Sequence, residues 1–63
     1  MPVIEVKMWT GRSAEQKKEL AESLTKTMAE IGQVSPQSVT VLFVEIEPEN
    51  WAVGGKLFLT KQS

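Results

Sequence analysis

The stretch VTVLFVEI, residues 39 to 46, is rich in β-branched side chains and apolar on both of its alternating faces. Val39, Val41 and Phe43 fall on one face, and Leu42, Val44 and Ile46 on the other. A strand of this kind has to be covered on both sides. Upstream, residues 2 to 9, PVIEVKMW, set Ile4, Val6 and Met8 against Val3, Glu5, Lys7 and Trp9, the period-2 alternation of a half-buried strand. Between the two lies helical periodicity from Ala14 to about Ile31. A strand, a helix and a strand make a βαβ unit with a right-handed crossover and parallel strands. One helix covers one face of that sheet, so the other face must meet another subunit.

Length points the same way. A chain of 63 residues buries only about 60% of the surface its unfolded form exposes. With neither cysteine nor histidine it has no disulfide, and no thiolate or imidazole zinc site, to compensate. Association is the expected remedy.

The helix is well signposted. Ser13 and Gln16 have the spacing of a capping box. Leu20, Leu24, Met28 and Ile31, flanked by Ala21, form one apolar stripe. Glu15, Lys18, Glu19, Glu22, Lys26 and Glu30 fall mostly opposite, as a solvated face. Gly32 is expected just past the end, in the left-handed conformation that closes many helices. QVSPQS and EPEN then read as turns, and WAVGGKLFLT as a short hairpin about Gly54-Gly55, a small β element suited to extend a neighbour's sheet. The expected class is α+β, in a single domain spanning residues 1–63.

Seven basic and eight acidic side chains give a net charge of −1, with no basic stripe, which argues against nucleic acid as a partner. The longest apolar run is too short to cross a membrane and no leader pattern precedes it, so a cytoplasmic location is expected. The Gly-Lys pair in VGGKL lacks the remaining residues of a phosphate-binding loop.

The chain has no His, Cys, Tyr or Asp, which removes the Ser-His-Asp and Cys-His schemes. For proton transfer near neutral pH there remain a perturbed Glu, a perturbed Lys, or a terminal amine. Pro2 bears on the last of these. An initiator methionine is generally trimmed before a small residue, and the finished chain would then begin with a secondary amine. In an apolar pocket near a guanidinium, such an amine loses its proton more readily. While Met1 stays attached, that nitrogen is an amide and no base. Arg12, the sole arginine, follows Gly11 in the loop after the first strand; it is either a solvated charge or a bidentate clamp for a carboxylate. Trp9 and Trp51 either fill a core or interface or line a pocket.

Pro2, TGRS followed by EQKKEL, a strand near residue 40 and NWAVGGKL together resemble the 4-oxalocrotonate tautomerase family over essentially the whole chain. The resemblance implies a β-α-β fold assembling as dimers into a hexamer, with active sites between subunits and no cofactor or metal. It implies that Pro2 is the catalytic amine, moving a proton between enol and keto forms of a small unsaturated acid. Arg12 matches the residue that binds a distal carboxylate, Trp51 the pocket aromatic, and Trp9 and Val53 the apolar wall. Thr40 stands where the best-known members carry a second arginine, which argues against a dicarboxylate substrate and for a monocarboxylate. Two alternatives stay open: dehalogenation or decarboxylation of a small acid, and a non-catalytic binding or scaffold subunit of a hetero-oligomer.

Overall fold

The computed structural model describes residues 1–58. Its elements are β1 (Val3–Trp9), α1 (Ala14–Gly32), β2 (Thr40–Ile46), β3 (Ala52–Val53) and β4 (Lys56–Leu57), with single 3-10 turns at Pro36–Ser38 and Pro48–Asn50. β1 and β2 are parallel, in a register that sets Ile4 beside Val41, Val6 beside Phe43 and Met8 beside Glu45. These six share the face crossed by α1. Val3, Glu5, Lys7 and Trp9 of β1 share the other face with Thr40, Leu42, Val44 and Ile46 of β2.

The capping box at the start of α1 is formed. Ser13 Oγ accepts from the Gln16 N–H at 3.1 Å, and Gln16 Oε1 accepts from the Ser13 N–H at 3.2 Å. At the other end the expectation for Gly32 fails: Gly32 is the last helical residue, and Gln33 takes the left-handed conformation with φ 56°. The N–H groups of Gln33 and Val34 both bond the Ala29 carbonyl there, and Val34 turns inward to become half-buried. Gly32 instead leaves room for Met28, whose sulfur would lie 3.2 Å from an added Cβ.

The apolar stripe of α1 also differs from its expected course. Lys17, Ala21, Leu24, Thr25, Met28 and Ala29 are half-buried, whereas Leu20 is 37% and Ile31 80% exposed. On the helix-covered face Lys17 Nζ reaches Glu45 Oε2 at 2.6 Å, which closes the polar end of the helix-to-sheet contact. With both side chains about a third exposed, the pair contributes under about 1 kcal/mol.

The hairpin forms as expected. Gly54 and Gly55 have φ 62° and 83°, the two positive values a tight two-residue β-turn requires. β3 and β4 pair antiparallel as a sheet separate from β1 and β2. A two-stranded hairpin is marginal alone, and an aromatic cluster anchors this one. Trp9 meets Trp51 edge-on at 5.6 Å and Phe58 at 4.2 Å.

Among the described residues none is fully buried. On the face away from α1, Val3 is 59% and Leu42 48% exposed. The unpartnered second face inferred from VTVLFVEI is therefore present, and within one chain it stays open. Among the described residues no helix is long and apolar enough to cross a membrane.

Candidate active site

The residues singled out from the sequence fall into two groups at opposite ends of β1. At its start, half-buried Pro2 accepts from the Thr40 N–H through its carbonyl at 3.0 Å, so Pro2 and Thr40 are neighbours where the two strands begin. Met1, joined to the Pro2 nitrogen, is 94% exposed. The Thr40 hydroxyl makes no hydrogen bond among the described residues.

At the far end, β1 finishes with Trp9, and Thr10 stays tied to β2 by a hydrogen bond from its N–H to the Ile46 carbonyl at 3.1 Å. Gly11, at φ 119°, then turns the chain into the loop that carries Arg12. Arg12 has no ion-pair partner among the described residues. Arg12 borders a hollow of about 290 Å³ shared with Met8, Trp9, Thr10, Gly11 and Gln16. The Ser13–Gln16 capping box directly behind it fixes where this loop meets the helix.

Trp51 belongs to the same end through its edge-on contact with Trp9. Val53, two residues on and 65% exposed, sits in β3 opposite Lys56. Phe58 was not foreseen as part of this group. The signal was available, because a hairpin centred on Gly54-Gly55 brings residue 58 across from residue 51, and the Phe58 N–H does bond the Trp51 carbonyl at 2.7 Å.

At about 3.3 Å per residue, the seven residues of β1 set the two ends of the strand roughly 20 Å apart. One end offers a ring nitrogen and a hydroxyl. The other offers a guanidinium with no ion-pair partner among the described residues, able to take a carboxylate through two parallel hydrogen bonds, and an aromatic wall. Neither end alone encloses a ligand.

The fold has counterparts among known proteins. The family model described as "Tautomerase enzyme" matches residues 2–61, and the chain belongs to the tautomerase family. A 2-hydroxymuconate tautomerase from Bacillus subtilis (strain 168) is 38% identical over 56 residues, which span 89% of this chain and 90% of that protein. A crystal structure of a 4-oxalocrotonate tautomerase homologue superposes with a TM-score of 0.90 at 33% identity, over 100% of both chains. A heterohexamer 4-oxalocrotonate tautomerase from Chloroflexus aurantiacus J-10-fl aligns with a TM-score of 0.87 at 36% identity, over 92% of this chain and 94% of that one.

Proposed function

We propose that this chain is a cofactor-independent tautomerase that interconverts the enol and keto forms of a small unsaturated carboxylic acid, with Pro2 as its base and acid once Met1 is removed. The observation that carries this reading is the division of the candidate residues between the two ends of β1. A site made of both ends requires two copies, the start of one β1 lying beside the Arg12 end of another. That need coincides with the open face of the sheet and the absence of any fully buried residue among the described residues. A dimer built this way, repeated into a hexamer, is the assembly this reading calls for.

In such a site Arg12 grips the substrate carboxylate. Trp9, Trp51 and Val53 exclude water around the reacting carbons, and the same dryness with a nearby guanidinium favours the neutral form of the Pro2 amine. The amine takes the proton of the enol hydroxyl as the carbonyl forms. It returns that proton to the carbon at the far end of the former double bond, so the sum is an isomerisation with no group lost or gained. A positioned base and acid of this kind contributes roughly 10²- to 10⁴-fold in rate. The Thr40 hydroxyl beside Pro2 offers a neutral hydrogen bond and no charge, which suits an enol with a single carboxylate.

The test is ketonisation of phenylenolpyruvate by the purified protein, with its intact mass measured alongside. Activity in protein that lacks Met1, lost in Pro2→Ala, supports the mechanism; activity that survives Pro2→Ala unchanged refutes it. Release of halide or carbon dioxide from a panel of small acids would move the reading to dehalogenation or decarboxylation. Thr40 also favours a second reading, in which a different chain supplies the missing positive charge in a hetero-oligomer. Activity that arises only when such a chain is added would establish that reading.

A further inference from the structure

The proposed ketonisation creates a charge that the residues described so far do not meet. When the Pro2 amine takes the proton of the enol hydroxyl, the electron pair of the O–H bond stays on oxygen and an enolate forms. Such an oxyanion is stabilised most by a charged or polar donor already aimed at it. Arg12 is engaged with the carboxylate, and the Thr40 hydroxyl beside Pro2 carries no charge. In an acid such as phenylenolpyruvate the enol oxygen sits on the carbon next to the carboxylate, so a second cation has to stand near Arg12.

The hairpin supplies one. Val53 stands opposite Lys56 across the Gly54-Gly55 turn, Ala52 stands opposite Leu57, and the Phe58 N–H bonds the Trp51 carbonyl. Opposed residues of an antiparallel pair project to the same face, with Cβ atoms about 5 Å apart, and faces alternate along each strand. Trp51, Val53, Lys56 and Phe58 therefore share one face of the hairpin, and Ala52 and Leu57 the other. Trp9 identifies the first face as the one turned to the end of β1, because its ring meets both Trp51 and Phe58. Lys56 is thus carried on the same wall as the residues that exclude water in the proposed site. β4 also packs against the turn Pro48–Asn50, which holds that wall in place.

Among the described residues Lys56 belongs to no ion pair. The other described lysines are committed or elsewhere. Lys17 is bound to Glu45 at 2.6 Å and Lys18 to Glu22 at 3.8 Å, Lys26 lies in the second half of α1, and Lys7 stands beside Val44 on the open face of the sheet. We infer that Lys56 is the enolate-stabilising residue of this site, its ammonium donating a hydrogen bond to the enol oxygen as that oxygen loses its proton, while Arg12 holds the adjacent carboxylate. The ammonium keeps its own protons throughout, and its grip relaxes as the carbonyl forms and the carbon takes the proton from Pro2. A compact ammonium on a flexible stem suits a single oxygen, as the planar guanidinium suits the two of a carboxylate. The positive charge that Thr40 does not carry comes in this way from the same sequence, and no different subunit is needed to bring it.

This role rests on the proposed tautomerisation, and kinetics on the full chain freed of Met1 separate the two. Wild type, Lys56→Met, Lys56→Gln, Lys56→Arg and Lys26→Met are compared in the ketonisation of phenylenolpyruvate, with thermal melts followed by circular dichroism. Lys56 is exposed, so the melts should coincide. Each neutral variant at Lys56 should lower kcat roughly 10²- to 10³-fold, the usual worth of one oxyanion donor, with KM changed less than about threefold. Lys56→Arg restores the charge and should return kcat to within about tenfold of wild type, a rescue that a packing role for the lysine stem would not give. Lys26→Met makes the same change in net charge on α1 and should leave both constants as in wild type. A neutral variant at Lys56 that melts with wild type and keeps its kcat would overturn the inference and leave the Pro2 mechanism standing. A loss confined to KM, or a Lys56→Arg no faster than Lys56→Met, would overturn it equally. A wild type without ketonisation activity would overturn both.

Discussion

The two ends of β1 are built from the same strand and differ in nearly everything else. The Arg12 end is furnished by its own chain: a capped helix start, a glycine turn, the loop arginine and three aromatic rings in contact. The Pro2 end is sparer, a half-buried strand terminus whose carbonyl accepts from the Thr40 N–H. On the proposed function the chain is a carrier of two half-sites. The Pro2 end would then gain its surroundings from another copy, and substitutions at the two ends should fail in different ways.

The largest effect is expected at the Pro2 end. Pro2→Ala should lower kcat for ketonisation by roughly 10²- to 10⁴-fold, the usual worth of a positioned base, with little change in KM. Steady-state kinetics on protein of verified mass would measure it. Arg12→Ala comes next: losing a bidentate, charge-assisted grip of about 1.5–3 kcal/mol should cost roughly 10- to 100-fold in kcat/KM, chiefly through KM. Arg12→Lys should recover little of that loss, because an ammonium group does not reproduce the planar fork. A fall in kcat alone for Arg12→Ala would break the division of labour between the ends.

Smaller effects sharpen the comparison. Ser13→Ala removes the cap behind the Arg12 loop and should destabilise the fold by about 1 kcal/mol. For a domain of this size that lowers Tm by roughly 4–8 °C at fixed protein concentration. Thermal denaturation followed by circular dichroism reads it out, and KM should rise as the loop loosens. The smallest change is expected for Thr40→Val, whose hydroxyl is uncommitted: stability within about 0.5 kcal/mol of wild type. A loss in kcat there far above threefold would give the Thr40 hydroxyl a part in stabilising the enolate.

The sequence made most of this architecture legible, because it rests on local periodicity. Alternation marked β1 and β2 to within a residue, Ser13 and Gln16 marked the helix start, and Gly54-Gly55 marked the hairpin. The helix end was misjudged for a physical reason. Glycine is only the commonest left-handed residue at that place, and here burial of Val34 and space for Met28 moved the turn to Gln33. Leu20 and Ile31 belong to the apolar stripe that the spacing predicts, yet both residues remain open. Periodicity reports which side of a helix is apolar and says nothing of whose atoms cover it. The candidate site was legible as a set of residues, through Pro2, Arg12, Trp9 and Trp51, but its closure was not, because on the proposed function closure joins positions on separate molecules.

A chain in which no described side chain escapes solvent has no private interior to fall back on. Dilution should therefore act on it as urea acts on an ordinary domain, with Tm climbing as the protein is concentrated. In a cell, abundance would then set more than how many catalysts are present: below a threshold dose, freshly made chains would meet proteases before they meet one another.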